Sequence, residues 1–237
     1  MKKCIGVLIT AICMMVAVSV FVHDEPDFPA YKDVKEKKKA FFGFMRPFVD
    51  IENAAILKDR KRLLSLRQTS VDSLSSKDSK WIERIADSYN TDSPLTDAKA
   101  WDHLLERVDM VPYPLVLSQA ANESAWGTSR FARQGHNFFG QWCFTKGCGI
   151  VPSRRDAGSK HEVAVFKSAQ GSVRAYLKNI NTGRVYAGLR KIRAQQRSSN
   201  RPLDAIELAG GLTKYSARGK AYVKEIRSMI RTNTKFM

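Results

Sequence analysis

The chain of 237 residues carries 40 Lys and Arg against 23 Asp and Glu, which gives a formal net charge of +17. Hydrophobic residues make up 43% of the sequence and aromatic residues 10%, so the chain can bury a core and wholesale disorder is excluded. Only 4 cysteines are present, too few for a disulfide framework to replace that core. The charge indicates a polyanionic partner: nucleic acid, an anionic membrane face or an acidic cell-wall polymer.

The first 23 residues have the pattern of an export signal. Met1-Lys2-Lys3 precedes an apolar run from Cys4 to Val22, and polar residues follow the run. The run approaches the length of a membrane span, and no small-x-small cleavage site closes it. Residues 1–23 are therefore predicted to be a cleaved signal peptide or a retained inner-membrane anchor. Either one places the remaining chain in the periplasm or cell envelope and argues against nucleic acid as the partner.

Two of the four cysteines lie outside the predicted export signal, and export indicates their redox state. Four residues separate Cys143 from Cys148, and outside the cytosol such a pair is expected to be oxidised to a disulfide. A zinc site needs further ligands, and the histidines lack ligand spacing, at His23, His103, His136 and His161. We therefore expect no metal and no other cofactor.

The next segments divide into a linker and a helical domain. Residues 24–39 are rich in charge and proline, which is typical of a solvated linker. Helical periodicity dominates from residue 40, and residues 40–237 are predicted to form one catalytic domain with its core motifs at about 98–232. Ser79 and Thr96 are predicted to open two of its helices.

The middle of the chain predicts a helix, a loop and a small β element. A helix is expected from Tyr113 to Glu123, with Pro114 in its first turn and Gly127 as its stop signal. Thr128 is predicted to cap a short helix after it. The alternation in 162–166 predicts a strand, and helical periodicity resumes at residue 173. The fold class is therefore mainly α, with a small non-helical lobe near residues 140–168.

Glu123 is the strongest candidate for a catalytic group. It lies three residues after Ala120 and seven after Val116, so it shares the side of the helix that packs inward. Partial burial and the negative end of the helix dipole both disfavour its charged form and raise its pKa. A carboxylic acid that stays protonated near neutral pH can protonate the leaving oxygen of a glycosidic bond. A surface or ion-paired glutamate is the plainer alternative.

The segment after Glu123 is rich in aromatic residues and glycine. Sugars are bound by aromatic faces, and glycines allow the backbone to approach a ligand closely. Some of these aromatic side chains must instead belong to the core. The five aromatic residues are Trp126, Phe138, Phe139, Trp142 and Phe144.

Two motifs in this region resemble the glucosaminidase family of peptidoglycan hydrolases, glycoside hydrolase family 73. The first runs from Ser118 to Ser129 and contains Asn-Glu-Ser-Ala-Trp-Gly, and the second is Asn137-Phe138-Phe139-Gly140. The resemblance extends over most of residues 38–232. It implies a lysozyme-like, mainly helical fold with a small β-hairpin lobe beside a glycan groove, and an endo-acting N-acetylglucosaminidase activity on peptidoglycan.

The resemblance also implies roles for individual residues. Glu123 matches the general acid of the family, and Tyr215 matches a tyrosine at the cleft that hydrogen-bonds the acetamido group of the substrate or packs beside it. A second carboxylate varies among members, and Glu162 or Asp156 is the candidate here; participation by the substrate's acetamido oxygen is the alternative. The predicted substrate-binding residues are Trp126, Asn137, Phe139, Trp142 and Tyr222. Structural support is the alternative for Trp126 and Phe139, and anchoring of the loop is the alternative for Asn137.

The leading hypothesis is an exported, monomeric endo-β-N-acetylglucosaminidase that acts on peptidoglycan glycan strands near the inner membrane. A lytic transglycosylase or muramidase on the same scaffold is the nearest alternative. A non-catalytic wall-binding protein is a second. A nucleic-acid or anionic-membrane binder is a third, which the basic residues between Arg190 and Arg201 favour superficially.

Overall fold

A computed structural model describes residues 24–153, 155 and 158–237 of the chain. The described part is mainly α with one small antiparallel sheet, which confirms the predicted fold class. The helices are α1 (Val34–Leu66), α2 (Ser76–Ser88), α3 (Ala100–Arg107), α4 (Tyr113–Glu123), α5 (Arg130–Gly135), α6 (Ala169–Thr182), α7 (Ala187–Ser198), α8 (Ala205–Ala209) and α9 (Lys220–Asn233). The strands are β1 (Trp142–Cys143), β2 (Gly149–Ile150) and β3 (Glu162–Ala164).

The segment predicted as a solvated linker, residues 24–39, differs from that prediction in the structure. Phe28 lies in a short 3-10 helix and is only 1% exposed, because its ring packs against Phe41 and Phe44. Asp33 accepts a hydrogen bond from the backbone N–H of Glu36 and caps α1, which therefore begins six residues before residue 40. One aromatic anchor and one helix cap override the charged composition of this segment.

Three other helices begin at residues other than the predicted ones. Helix α3 begins at Ala100, four residues after Thr96, and Lys99 precedes it without a side-chain cap. Ser75 caps α2, and its hydroxyl accepts the N–H of Asp78 at 3.1 Å, whereas Ser79 lies inside the helix. Ser129, not Thr128, caps α5 by accepting the N–H of Ala132. Each true cap stands where a neighbouring serine or threonine competes with it, so sequence alone misplaces the boundary by a few residues.

Helix α4 is the buried axis of the fold. Every residue from Leu115 to Ala121 is fully buried, and α4 packs against α1, α8 and α9. Burying seven successive residues requires neighbours on all sides, and the flanking helices supply them. Glu123, at the C-terminal end of α4, is consequently held on a rigid support.

The β lobe is a three-stranded antiparallel sheet in the order β1-β3-β2. Trp142 pairs with Val163, and Ile150 pairs with the same residue from the other side. The predicted disulfide between Cys143 and Cys148 is present and links β1 to the loop that precedes β2. The lobe therefore carries few residues but is cross-linked where its loop begins and ends.

Within the described residues, no helix has both the length and the apolar character needed to span a membrane. The predicted signal or anchor, residues 1–23, lies outside the described residues.

Candidate active site

A cavity of about 650 Å³ opens at the C-terminal end of α4. It lies between this helix, the β lobe, α6 and the start of α9. Its lining is mostly aromatic and amide side chains with a single carboxylate, that of Glu123. The lining residues are Asn122, Glu123, Phe139, Gly140, Gln141, Trp142, Phe144, Tyr176, Asn179, Tyr186, Tyr215, Ser216, Arg218 and Tyr222. Aromatic faces with amide groups between them suit a neutral sugar chain.

Glu123 is half-buried at this cavity, and burial is the main cause that raises the pKa of its carboxyl. Hydrogen bonds from Tyr222 and Asn122 act in the opposite direction, and the negative charge of Glu225 raises the pKa further. The direction agrees with the expectation from its position on α4, where the helix ends. A carboxyl in this environment is suited to donating a proton.

A chain of buried side chains orients the Glu123 carboxyl. The Tyr176 hydroxyl donates to Gln119 Oε1 at 2.5 Å, and Gln119 Nε2 donates to the Tyr222 hydroxyl at 2.9 Å. The Tyr222 hydroxyl in turn donates to Glu123 Oε1 at 2.8 Å. Burial raises the pKa of the Tyr176 and Tyr222 phenols, so both remain protonated donors. Each hydrogen bond fixes the orientation of the next, and the chain ends at the carboxylate.

Tyr215 lines the cavity beside Tyr222, and their rings stack with centroids 4.9 Å apart. Its hydroxyl donates to the backbone carbonyl of Phe139 at 3.3 Å. Burial raises the pKa of this phenol as well. Tyr215 is therefore placed at the cavity with a protonated hydroxyl, close to Glu123.

The turn after Glu123 connects the site to the N-terminal segment. Ala125, Trp126 and Gly127 all have positive φ angles, of 50°, 59° and 77°. A Cβ at Gly127 would collide with the ring of Phe28, so the glycine is required both by conformation and by space. Trp126 turns away from the cavity and packs edge-on against Phe42 at 5.3 Å. It supports the site from behind rather than lining it.

The remaining motif residues divide between support and lining. Asn137 is buried, and its Nδ2 donates to the backbone carbonyls of Gln141 and Ala164 at 2.9 Å, which ties the loop to the sheet. Phe139 lines the cavity and stacks on Tyr176 at 4.1 Å. Trp142 lines the cavity from the β lobe, is 59% exposed, and stacks on His161 at 3.9 Å. Of the two aromatic side chains, Phe139 and Trp142, the latter is the more exposed to the cavity.

Glu162 does not line the cavity. Its Oε1 accepts the N–H of Gly147 at 3.0 Å and its Oε2 accepts the N–H of Gly149 at 2.8 Å. These backbone hydrogen bonds lower the pKa of its carboxyl. Glu162 thus closes the loop that also carries the Cys143–Cys148 disulfide. Asp156 lies outside the described residues.

The described residues contain one cluster of three potential metal ligands, formed by Cys143, Cys148 and Glu162. The two sulfur atoms are bonded to each other, so neither is available as a thiolate ligand. With the two cysteines joined in a disulfide, this set of side chains does not suit a metal ion.

Sequence reasoning did not assign Gln119, Tyr176 or Arg218 to the site. Gln119 lies four residues before Glu123 on α4, so the helical spacing placed it on the same face. Tyr176 is distant in sequence and carries a helical core pattern, which hid its hydroxyl contact.

Comparison with known proteins identifies the family of the chain. A family model described as mannosyl-glycoprotein endo-beta-N-acetylglucosaminidase matches residues 98–235. Protein bax of Escherichia coli (strain K12) is 34% identical over 213 residues, which cover 90% of this chain and 75% of the relative. No solved structure matches the chain. The family match covers more than half of the chain, and the chain belongs to the glucosaminidase family of glycosidases.

Proposed function

We propose that this protein is an endo-β-N-acetylglucosaminidase that hydrolyses the glycan strands of peptidoglycan, with Glu123 as its general acid. The observation that carries the proposal is the half-buried carboxyl of Glu123, with its raised pKa, at an aromatic cavity. Family membership supports the reaction class. The substrate places the protein in the cell envelope, where residues 1–23, if retained, anchor it to the inner membrane.

The proton donor is the first functional element. Glu123 Oε1 accepts hydrogen bonds from Tyr222 and from Asn122 Nδ2, the latter at 3.3 Å. We assign the acidic proton to the other oxygen, Oε2. The proton passes to the glycosidic oxygen as the bond to C1 of N-acetylglucosamine breaks, and Glu123 becomes a carboxylate.

The second step uses the acetamido group of the substrate. Both oxygens of Glu162 are occupied by backbone donors, and Glu123 is the only carboxylate among the described residues that line the cavity. The acetamido oxygen attacks C1 from the opposite face, while Tyr215 hydrogen-bonds the acetamido group. Water then opens the cyclic intermediate, and the Glu123 carboxylate accepts the proton of that water.

The direct test is hydrolysis of purified peptidoglycan by the Glu123→Gln variant. Loss of the acidic proton should reduce the rate by roughly 10³-fold, as expected for a missing general acid. Glu83→Gln, an exposed change on α2, is the matched control and should keep full activity. Release of new reducing ends on N-acetylglucosamine supports the proposal.

Two results would overturn it. Wall hydrolysis by Glu123→Gln at the wild-type rate removes the assigned acid. Products that end in N-acetylmuramic acid or its 1,6-anhydro form would show a muramidase or lytic transglycosylase instead.

A further inference from the structure

Arg218 is the only cation among the described residues that line the cavity. Its side chain is 57% exposed, and one guanidinium nitrogen, Nη1, contacts Glu225 Oε2 at 2.7 Å. The backbone N–H of Arg218 donates to the Ser216 hydroxyl at 3.3 Å, which helps to fix the turn before α9. The arginine thus lies at the cavity with donors left for a second acceptor.

The charge at Arg218 is not needed to bind an uncharged sugar chain. N-acetylglucosamine is neutral, the lactyl carboxyl of N-acetylmuramic acid loses its charge where it is amide-linked to a peptide, and the aromatic and amide lining suits both sugars. Glu123 works as a neutral acid, so Arg218 carries the positive charge of the cavity lining before proton transfer. A planar guanidinium is matched in shape and charge to a carboxylate, as its contact with Glu225 illustrates.

We propose that Arg218 is a specificity-determining residue that binds a carboxylate of the acidic peptide branching from the glycan strand. The inference rests on the proposed function, because it assumes a glycan that carries peptide stems. Glu225 holds the guanidinium in place when the cavity is empty. On binding, the peptide carboxylate accepts hydrogen bonds from the Arg218 guanidinium, either beside Glu225 or in its place. The enzyme thereby distinguishes a peptide-bearing wall from a neutral glycan.

A cycle of two enzymes and two substrates tests this directly. The substrates are native peptidoglycan and the same peptidoglycan with its carboxyl groups amidated by carbodiimide and ammonia. The enzymes are the wild type and Arg218→Ala, and kcat and KM are measured separately. Arg218→Lys is included because it keeps the charge and removes the planar fork.

The wild type should prefer the native wall about two- to fivefold in kcat/KM, mainly through KM, as expected for one partly exposed ion pair. Arg218→Ala should lose that preference and match the wild type on the amidated wall, and Arg218→Lys should fall between them. Lys224→Ala is the matched control. Lys224 is exposed on another face of α9, so its loss should leave the preference unchanged.

The inference fails if Arg218→Ala lowers kcat/KM equally on both walls, or if Lys224→Ala abolishes the preference as well. The proposed function fails separately, if the wild type cleaves neither wall or if Glu123→Gln cleaves both. The two failures are therefore distinguishable in one set of assays.

Discussion

Two glutamates near the cavity, Glu123 and Glu162, have opposite environments. Glu123 ends α4, and burial raises the pKa of its carboxyl. Glu162 begins β3, and two backbone N–H groups lower the pKa of its carboxyl. The same side chain is thus prepared as a proton donor in one place and as a stabilised anion in the other.

Burial and hydrogen-bond donors balance differently at the two carboxyls. Each oxygen of Glu162 accepts a backbone N–H, so the charged form is stabilised. At Glu123, the Tyr222 hydroxyl and the Asn122 amide both donate to Oε1, and Tyr215 adds a weaker hydrogen bond. Burial outweighs these donors, so the uncharged form is favoured.

After the loss of Glu123 itself, the largest predicted effect concerns the hydrogen bond from Tyr222. Tyr222→Phe should reduce kcat about 10- to 100-fold, because the acid loses the group that orients it. The hydrogen bond lowers the pKa of Glu123, so its removal should raise that pKa further. A general acid loses its proton as pH rises through its pKa. The alkaline limb of the pH profile of kcat/KM should therefore move to higher pH in this variant.

The same substitution leaves Gln119 Nε2 buried without its acceptor, which should cost about 1–3 kcal/mol in the free energy of unfolding. Tyr89→Phe, a buried tyrosine in the separate core of α2 and α3, is the control and should keep kcat. An alkaline limb that moves to lower pH in Tyr222→Phe would contradict the assignment.

The second prediction addresses Glu162. A glutamine offers only one oxygen to the two N–H groups, so Glu162→Gln should loosen the loop and reduce activity by less than tenfold. The folded-state pKa is lowered, so the carboxylate stabilises the loop above the unfolded pKa. This stabilisation is lost as pH falls through the folded pKa. Hydrogen exchange at the Gly147 and Gly149 amides should show that loss in the wild type and not in the variant.

A different outcome would reassign Glu162. If Glu162→Gln is as inactive as Glu123→Gln and added azide restores its turnover, Glu162 supplies a base and the loop must open during catalysis.

The smallest predicted effect comes from Glu225. Its negative charge raises the pKa of Glu123, so Glu225→Gln should lower that pKa and move the alkaline limb to lower pH. Salt should weaken the effect, because the residue is partly exposed. The amidated wall is the substrate for this profile, since it removes the contact that we propose between Arg218 and a peptide carboxylate. An unchanged limb at low salt would remove Glu225 as an influence on the acid.

The local part of the site was accessible from sequence. Helix α4 has the predicted bounds, and the inward position of Glu123 follows from its spacing on that helix. The contacts of Phe28 with Gly127 and of Tyr176 with Gln119 join residues far apart in the chain. Periodicity carries no information about such pairs, which explains why the N-terminal segment and the hydrogen-bond chain were not predicted.

For Glu162, the sequence predicted the secondary structure but not the role of the side chain. Its place at the start of a strand was predicted, but two glycine N–H groups on a neighbouring loop engage its carboxylate. Backbone donors leave no mark in the identity of the residues that provide them. The role of a carboxylate in the lobe therefore depends on the loop conformation.

The central claim is that Glu123 remains protonated at a pH where an ordinary glutamate is ionised. Titration of carboxyl-labelled glutamate by ¹³C NMR, with the Glu123 signal assigned by its absence in Glu123→Gln, measures this directly. We predict a midpoint above the ordinary value of 4.5 in the wild type. A midpoint at or below that value would contradict the account.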